Sequence, residues 1–330
     1  MGATISVVID NHNYGRYLGE AVRSVLRQRC PGEVECIVSD DGSTDESREV
    51  IASFGGKVRS LLRSNEGQAS AFNAGFSAAR GEFVCLLDSD DYWHPDKIAQ
   101  CLAFFDDPEV GVVQHFLQDV DGEGRALAQR FPAWPARYAT EDFLDGRLQL
   151  TATSGLMFRR SVLDRVLPVP RRIFYYLDDM LFVKALLLSK GANVPKVLGY
   201  HRVHGKNFCA GGYWSPEKLE LDLEMKRLFN DEIDPLLRQR GLRRSARYEE
   251  LEDLEYFRRR ILLRMLRGER RRASLEWWAM VKKHGVRRFG LFRIATCLIA
   301  LLSPALYLRL YESYRGSDWG FDLRRRLFSR

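Results

Sequence analysis

The N-terminal half of the chain alternates between short apolar runs and amphipathic segments. The apolar runs begin at Ile5, Val34, Val58 and Phe83, and the segments after them carry apolar residues at helical spacing. Such alternation is typical of right-handed βαβ units and a parallel sheet. We therefore predict an α/β fold with a mostly parallel, Rossmann-like sheet flanked by helices, and a C-terminal helical appendage.

Polar side chains follow each predicted strand: Asp10, Asp40 with Asp41, Asn65, and the group Asp88 to Asp91. In parallel sheets, ligands bind outside the carboxyl ends of the strands. We therefore expect these side chains to form a site at one edge. The spacing of Ser43-Thr44-Asp45-Glu46 also predicts a capping box at the start of the second helix.

The densest polar group is Asp88-Ser89-Asp90-Asp91, directly after the buried strand Phe83–Leu87. Clustered carboxylates repel one another, so a cation is favoured between them. Oxygen ligands suit Mg²⁺ or Mn²⁺ better than Zn²⁺. A solvated acidic turn that caps the helix after Pro95 would give the same short pattern.

Two common nucleotide-binding motifs are missing from the sequence. There is no G-x-G-x-x-G after the first strand, which argues against a dinucleotide oxidoreductase, and no G-x-x-x-x-G-K-[ST], which excludes a P-loop ATPase. A bound nucleotide would therefore be held without a glycine cradle.

Several motifs occur in an order that resembles family 2 glycosyltransferases: ISVVIDNHNYGRYL, VSDDGSTDES, NEGQASAFNAGFSAARGEFVCLLDSDD and WHPDKI. The resemblance covers roughly residues 4–207. It implies a GT-A-type fold and inverting transfer of a sugar from a nucleoside-diphosphate sugar. The family often has Pro-Thr where this chain has Asp10-Asn11.

The resemblance also implies roles for individual residues. Asp40 and Asp41 would face the base, Asp88 would approach the ribose, and Asp90 would bind Mn²⁺ or Mg²⁺. The full set implied to contact the nucleotide sugar is Asn11, His12, Asp40, Asp41, Asn65, Gly67, Asn73, Asp88, Ser89 and Arg202, and the metal set is Asp90, Asp88 and His204. Asn73 would equally serve helix packing. Arg202 and His204, in a Tyr200–Asn207 motif, would contact the diphosphate or complete the metal shell, although an isolated histidine is as often structural.

The general base is predicted in Tyr175–Asp179, ahead of the amphipathic run Met180–Leu188. By resemblance the base is Asp179, with Asp178 as the second candidate. A carboxylate at a helix N-terminus tends to have a lowered pKa and to accept a proton when ionised. Either residue could instead cap the helix.

Charge divides the chain into a catalytic region, residues 1–212 with net charge −3, and a basic region, residues 213–330 with net charge +10. The uncharged stretch Ile294–Leu308 is shorter than the roughly 20 residues a spanning helix needs. We therefore predict an interfacial or re-entrant membrane segment over residues 291–311. A buried helical hairpin with a basic face is the alternative. No recognised nucleic-acid motif accompanies the charge, so no nucleic-acid partner is expected.

Cysteine usage and the N-terminus bear on location. Six cysteines are scattered without CxxC pairs, which is typical of reduced thiols in a cytosolic protein. The first residues resemble no secretory signal. We expect a protein at the cytoplasmic face of the cell membrane, peripheral or monotopic, or in the cytoplasm.

Together these features predict an inverting, metal-dependent glycosyltransferase. Its donor would be a UDP-sugar and its acceptor a hydroxyl of a lipid-linked glycan or polysaccharide in cell-surface glycan synthesis. Two alternatives stay open: a non-catalytic scaffold or binding protein on a degenerate transferase fold, and a sugar-phosphate nucleotidyltransferase. The second normally opens with a glycine-rich basic loop, which Asp10-Asn11-His12-Asn13 is not.

Overall fold

The structure is a computed structural model that describes residues 3–131, 133–173, 176–205, 207, 215–285 and 288–316. The chain divides into two compact units. The sheet unit comprises residues 1–127, 131–143 and 148–204, and the helical unit comprises residues 128–130, 144–147 and 205–330. Tyr175 of the predicted base motif, Lys206 of the Tyr200–Asn207 motif and Cys209, one of the six cysteines, lie outside the described residues.

The elements alternate through the first unit and are helical in the second. The strands are β1 (Ala3–Asn11), β2 (Gly32–Asp40), β3 (Arg59–Leu62), β4 (Phe83–Asp88), β5 (Tyr92–Trp93), β6 (Val110–Val120), β7 (Arg137–Tyr138), β8 (Leu156–Arg159) and β9 (Lys190–Arg202). The helices are α1 (Gly15–Leu26), α2 (Ser47–Ser53), α3 (Gln68–Ala78), α4 (Lys97–Leu102), α5 (Thr140–Leu144), α6 (Arg160–Leu163), α7 (Leu177–Leu186), α8 (Pro216–Gln239), α9 (Ala246–Leu266), α10 (Arg270–His284), α11 (Arg288–Leu302) and α12 (Pro304–Gly316).

One sheet runs through the first unit in the order β3-β2-β1-β4-β8-β6-β9-β5, with β7 paired to β9. Strands β1 to β4 pair in parallel, as the alternation predicts. In the second half β8 lies antiparallel between β4 and β6, whereas β9 runs parallel to β6. The sheet is therefore parallel in its N-terminal half and mixed beyond it.

Strand β1 lies between β2 and β4, and its centre, Val7 to Ile9, is fully buried. Its register sets Asp10 beside Asp88 of β4 and Asn11 beside Asp40 of β2. Three strand ends are therefore fixed side by side by apolar burial of the strands behind them.

Helix α3 packs closely on β1. A Cβ atom added to Gly75 would lie 2.2 Å from Val8 Cγ1, so only glycine permits this approach. The close packing brings the N-terminus of α3 to the same edge of the sheet.

The predicted capping box was wrong. Helix α2 begins at Ser47, and the Ser47 amide donates to Asp45 Oδ1 (3.0 Å). Ser43 instead donates from its hydroxyl to Asp40. Asp40, at the end of β2, binds the serine that was expected to cap the helix, so the helix starts one turn later than its sequence pattern predicted.

The helical unit is built around α9, which packs against α8, α10, α11 and α12. Its core includes Leu262, Ala300 and Tyr307 in one cluster and Ile261 and Cys297 in a second. The stretch predicted as a membrane segment thus forms α11 and part of α12 with one buried face, closer to the helical-hairpin alternative. Among the described helices, none is long and apolar enough to cross a bilayer.

The described cysteines carry free thiols, as predicted: Cys30, Cys36, Cys85, Cys101 and Cys297.

Candidate active site

Asn11, at the end of β1, connects the first two strand ends. Its Nδ2 donates to Asp40 Oδ1 (2.7 Å) and to Ser43 Oγ (3.1 Å). The Asp40 side chain is fully buried and also accepts from the Ser43 backbone amide (3.1 Å). Asp40 therefore supports the loop from beneath, and its direct contact with a base stays a prediction.

Asp41 ties the end of β2 to the loop after β3. Its two carboxylate oxygens accept from the backbone amides of Glu66 (2.9 Å) and Gly67 (2.7 Å). His12 Nδ1 lies 2.8 Å from the Asp41 carbonyl oxygen, which can only accept, so Nδ1 carries the hydrogen. His12 Nε2 then accepts from the Asn65 side-chain amide (3.2 Å). The structure thus brings the predicted residues His12, Asp41, Asn65 and Gly67 together.

Asn73 is engaged elsewhere. Its Nδ2 donates to the Val169 carbonyl oxygen (2.8 Å), and its Oδ1 accepts from the Val169 amide (2.9 Å). Both polar ends of the side chain therefore have a backbone partner, and Asn73 anchors the segment after α6 to α3. This geometry agrees with the packing alternative, and a contact with the nucleoside stays a prediction.

The acidic turn, Asp88 to Asp91, is held by Ser154. The Ser154 hydroxyl donates to Asp91 Oδ2 (2.6 Å) and accepts from the Asp88 amide (3.1 Å). The Asp91 amide also donates to the Asp88 carbonyl oxygen (3.1 Å). Ser89 is buried within the turn. These bonds fix the turn from both ends and so set the directions of Asp88 and Asp90.

Arg202, at the end of β9, is the second support of the acidic turn. Its backbone amide donates to Asp91 Oδ1 (2.9 Å), and its Nε donates to the Asp90 carbonyl oxygen (3.0 Å). Its terminal nitrogens donate to the Gly122 carbonyl oxygen (3.0 Å) and to Glu20 Oε2 (2.6 Å). Because the residue is 3% exposed, the geometry gives Arg202 a positioning role. The predicted contact with a diphosphate stays a prediction.

His204 faces Asp90. Its Nε2 lies 3.2 Å from Asp90 Oδ2, and its ring stacks on Tyr17 with the ring centroids 4.9 Å apart. Two of the predicted metal ligands are therefore brought together, although their binding of a metal stays a prediction.

Asp10 and Asp88 each have a carboxylate oxygen that accepts no hydrogen bond from the described residues. The Oδ1 atom of each is buried and has no hydrogen-bond partner among the described residues. Burial raises the pKa of Asp10 to about 7, although Gln68 donates to its Oδ2 (2.9 Å). Burial and the neighbouring charge of Asp10 raise the pKa of Asp88 well above its usual value. A cation between these carboxylates would offset both costs.

Asp178 and Asp179 lie in the first turn of α7. Asp178 accepts from the Asp179 amide (3.0 Å) and from the Thr153 hydroxyl (3.5 Å). Burial raises the pKa of Asp178, so the lowering expected at a helix N-terminus is outweighed there by desolvation. The charge of Asp178 also raises the pKa of Asp88, and its partner Thr153 is the chain neighbour of Ser154, which binds the acidic turn.

The donor atoms at this edge fit a divalent cation. Carboxylate oxygens of Asp88 and Asp90 with an imidazole nitrogen of His204 are ligands that Mn²⁺ and Mg²⁺ accept. The buried, unsatisfied Oδ1 of Asp88 is an atom that a cation would satisfy. Within the described part of the chain, however, no three His, Cys, Asp or Glu side chains are arranged to hold a metal ion. The predicted ligands therefore do not converge on one point here.

Sequence reasoning did not predict the contacts that three residues make at this edge. Ser154 lies 63 residues from Asp91, and no spacing signal connects them. Glu20, the partner of Arg202, lies on a helix of ordinary amphipathic pattern. Asp10 was placed at the edge without a role, and its departure from the family's proline was the one available signal.

Comparisons with known proteins bear on the family of the chain. A family model described as Glycosyl transferase family 2 matches residues 6–167. An uncharacterized glycosyltransferase of Nostoc sp. is 38% identical over 214 residues, covering 62% of this chain and 66% of that protein. Chondroitin synthase of Pasteurella multocida is 36% identical over 135 residues, covering 40% of this chain and 14% of that protein. The chain therefore spans less than the whole of either relative.

Solved structures show the fold. Staphylococcus aureus TarS 1-349 in complex with UDP-GlcNAc superposes with a TM-score of 0.56 at 23% identity, over 78% of this chain and 72% of that one. Mannosyltransferase PcManGT from Pyrobaculum calidifontis, in complex with GDP-Man and Mn²⁺, gives a TM-score of 0.56 at 19% identity, over 94% and 81%. With the GT-A fold and the family motifs both in place, the chain belongs to glycosyltransferase family 2.

Proposed function

We propose that this chain is a metal-dependent, inverting glycosyltransferase that moves a sugar from a UDP-sugar to a hydroxyl of a polysaccharide or lipid-linked acceptor. The observation that carries the proposal is the pair of buried, unsatisfied carboxylate oxygens on Asp10 and Asp88 at the edge of the sheet. The fold shared with a UDP-GlcNAc complex of TarS supports the choice of donor. The similarity to a chondroitin synthase supports a glycan acceptor in cell-surface glycan synthesis.

The donor would bind along the ends of β1, β2 and β4. The loops held by Asp41 and His12 form the side proposed for the nucleoside, and the acidic turn forms the side proposed for the diphosphate. Asp88, Asp90 and His204 would hold the cation. When bound there, Mn²⁺ or Mg²⁺ offsets the negative charge that grows on the diphosphate as the sugar–phosphate bond breaks.

Ser154 and Arg202 keep the acidic turn in place during the reaction, because each donates a hydrogen bond to a different carboxylate oxygen of Asp91. Held in this way, Asp88 and Asp90 need no rearrangement as charge develops. Both supports are positioning residues.

The base accepts the proton of the acceptor hydroxyl. The hydroxyl oxygen attacks the anomeric carbon from the side opposite the diphosphate, which leaves. One displacement of this kind inverts the configuration. We assign the base to Asp179, with Asp178 as the alternative, and both carboxylates lie in the first turn of α7.

We propose that residues 1–212 form the catalytic domain and that residues 213–330 form a basic helical appendage. The enzyme would act at the cytoplasmic face of the cell membrane or in the cytoplasm, and the appendage would associate with the membrane through residues 291–311.

The test is nucleoside-diphosphate release from UDP-, GDP- and dTDP-sugars, with a glycan acceptor panel, in Mn²⁺, Mg²⁺ or EDTA. Release from the UDP-sugar should be lost with EDTA and in Asp90→Ala, and should be strongly reduced in Asp179→Asn. Asp106→Ala changes an exposed aspartate outside this edge and is the matched control. Full turnover by Asp90→Ala would show that the metal assignment is wrong. If no sugar donor is either cleaved or bound, the result would favour a non-catalytic binding protein.

A further inference from the structure

A row of exposed leucines runs along the outer side of α11 and α12. Leu298, Leu302, Leu306 and Leu310 are 42%, 73%, 49% and 48% exposed, and they recur at every fourth residue. No charged residue lies between Arg293 and Arg309. The solvent face of an ordinary surface helix is polar, so an uninterrupted apolar face of this length marks an interaction surface. We call these four side chains the leucine row.

The two helices meet at Ser303, between Leu302 and Pro304. The Ser303 amide donates to the Ile299 carbonyl oxygen (2.9 Å), and the Tyr307 amide donates to the Ser303 carbonyl oxygen (3.0 Å). The Leu306 amide also donates to the Ser303 hydroxyl (3.2 Å), so Ser303 ends α11 and caps α12, which begins at Pro304. Ala300 of α11 and Tyr307 of α12 lie in one buried cluster, so both helices turn a face to the same core and the four leucines lie outside it.

The inner side of the same helices is already packed. Cys297, Ala300 and Tyr307 are buried in clusters with residues of α9. Tyr307 also accepts a hydrogen bond at its hydroxyl from Arg258 (3.0 Å). The leucine row is thus a second apolar face that the core of the helical unit does not use.

Charge in the helical unit selects the occupant. Residues 258–293 carry 13 basic and two acidic residues. Both of these acidic residues are paired, Glu269 with Arg264 and Glu276 with Arg260. Arg271 and Lys282 on α10 and Arg309 beside the leucine row are exposed. An apolar stripe among exposed cations matches the interfacial zone of a bilayer with anionic headgroups, where leucines enter the acyl boundary and cations stay at the phosphates.

We propose that the leucine row of α11 and α12 docks on a membrane surface that contains anionic lipid. The helices lie along the interface, with Leu302 and Leu306 at the centre of the buried stripe. The assignment deepens the membrane association suggested above, and it does not depend on sugar transfer. Vesicle binding needs no donor, so the failure of either proposal leaves the other standing.

The test is flotation of the full chain with phosphatidylglycerol–phosphatidylcholine vesicles and with phosphatidylcholine vesicles. Wild type should float with the anionic vesicles, and high salt should weaken binding because the cations are screened. Leu302→Glu with Leu306→Glu should lower the partition coefficient by at least about tenfold, since two apolar side chains no longer enter the interface. Leu26→Glu, which changes an exposed leucine on α1, should leave binding unchanged.

Two readouts keep the result decisive. The double variant and wild type should unfold at the same temperature, because both positions are outside the core. If the double variant unfolds at a lower temperature, Leu302→Ser is tested in its place. Equal flotation of variant and wild type, or equal binding to neutral and anionic vesicles, would overturn the proposal. So would a stable dimer that becomes a monomer in the variant without any vesicle binding, because the row would then join two copies of the chain.

Discussion

Ser154→Ala should lower both the stability of the sheet unit and the affinity for the donor, because one hydroxyl holds both ends of the acidic turn. That hydroxyl is fully buried, donates to Asp91 Oδ2 at 2.6 Å and accepts from the Asp88 amide at 3.1 Å. A hydrogen bond to a carboxylate contributes about 1.5–3 kcal/mol, and one between neutral groups contributes about 1 kcal/mol. Asp91 keeps a second donor, the Arg202 amide. We therefore expect the free energy of unfolding to fall by about 2–3 kcal/mol.

Urea unfolding of the variant and calorimetric titration with UDP in Mn²⁺ measure the two effects separately. The matched control is Ser77→Ala, an exposed serine whose hydroxyl donates to the Asn73 carbonyl oxygen (2.8 Å). That substitution should stay within about 0.5 kcal/mol of wild type. A loss of stability without any loss of UDP affinity would refute the view that Ser154 positions the acidic turn. An unchanged free energy of unfolding would refute the energetic reasoning itself.

Three further predictions follow from other contacts. Gly75→Ala places a Cβ 2.2 Å from a buried valine methyl and should cost about 1–3 kcal/mol in urea unfolding. Gly56→Ala, with nothing within 4 Å of the new Cβ, should be neutral or slightly stabilising. Burial lowers the pKa of His115 to about 3, so the unfolded chain binds this proton near pH 6.5 and the folded chain only near pH 3. Acidification across that window should destabilise wild type more steeply than His115→Gln; equal slopes would contradict the assignment. Glu20→Gln removes the carboxylate that lies 2.6 Å from Arg202. Because the Glu20 side chain is half exposed, we expect weaker UDP binding but a loss of less than about 1 kcal/mol in the free energy of unfolding. Calorimetric titration of that variant should show weaker UDP binding, while its free energy of unfolding stays close to that of wild type. Equal losses of UDP affinity and of stability would argue that the Glu20–Arg202 pair is purely structural.

The parallel half of the sheet could be predicted because its information is local. Each apolar run, such as Phe83–Leu87, is bounded by polar residues, and burial of the run fixes its direction and its exit. Strand β8, Leu156–Arg159, has four residues and no comparable signal. Its antiparallel insertion between β4 and β6 depends on contacts distant in sequence, so periodicity could not reveal it.

The candidate site was predictable in its position but not in its internal bonds. Strand ends placed Asp41 and Asp90 at one edge, but the donors that satisfy such carboxylates come from far along the chain. Ser154, just before β8, and Arg202, at the end of β9, bind the acidic turn, and neither hydrogen bond is visible in a single sequence. The raised pKa of Asp178 could not be predicted either, because desolvation depends on what the fold packs around the carboxyl group.

The most direct test of the central claim is a calorimetric titration of UDP into the full chain in Mn²⁺, in EDTA and with Asp90→Ala, because it needs no acceptor. The account predicts binding in Mn²⁺ that weakens at least about tenfold on chelation and to a similar extent in the variant. Equal UDP affinity under all three conditions would contradict it, since the acidic turn would then bind no cation that matters to the donor.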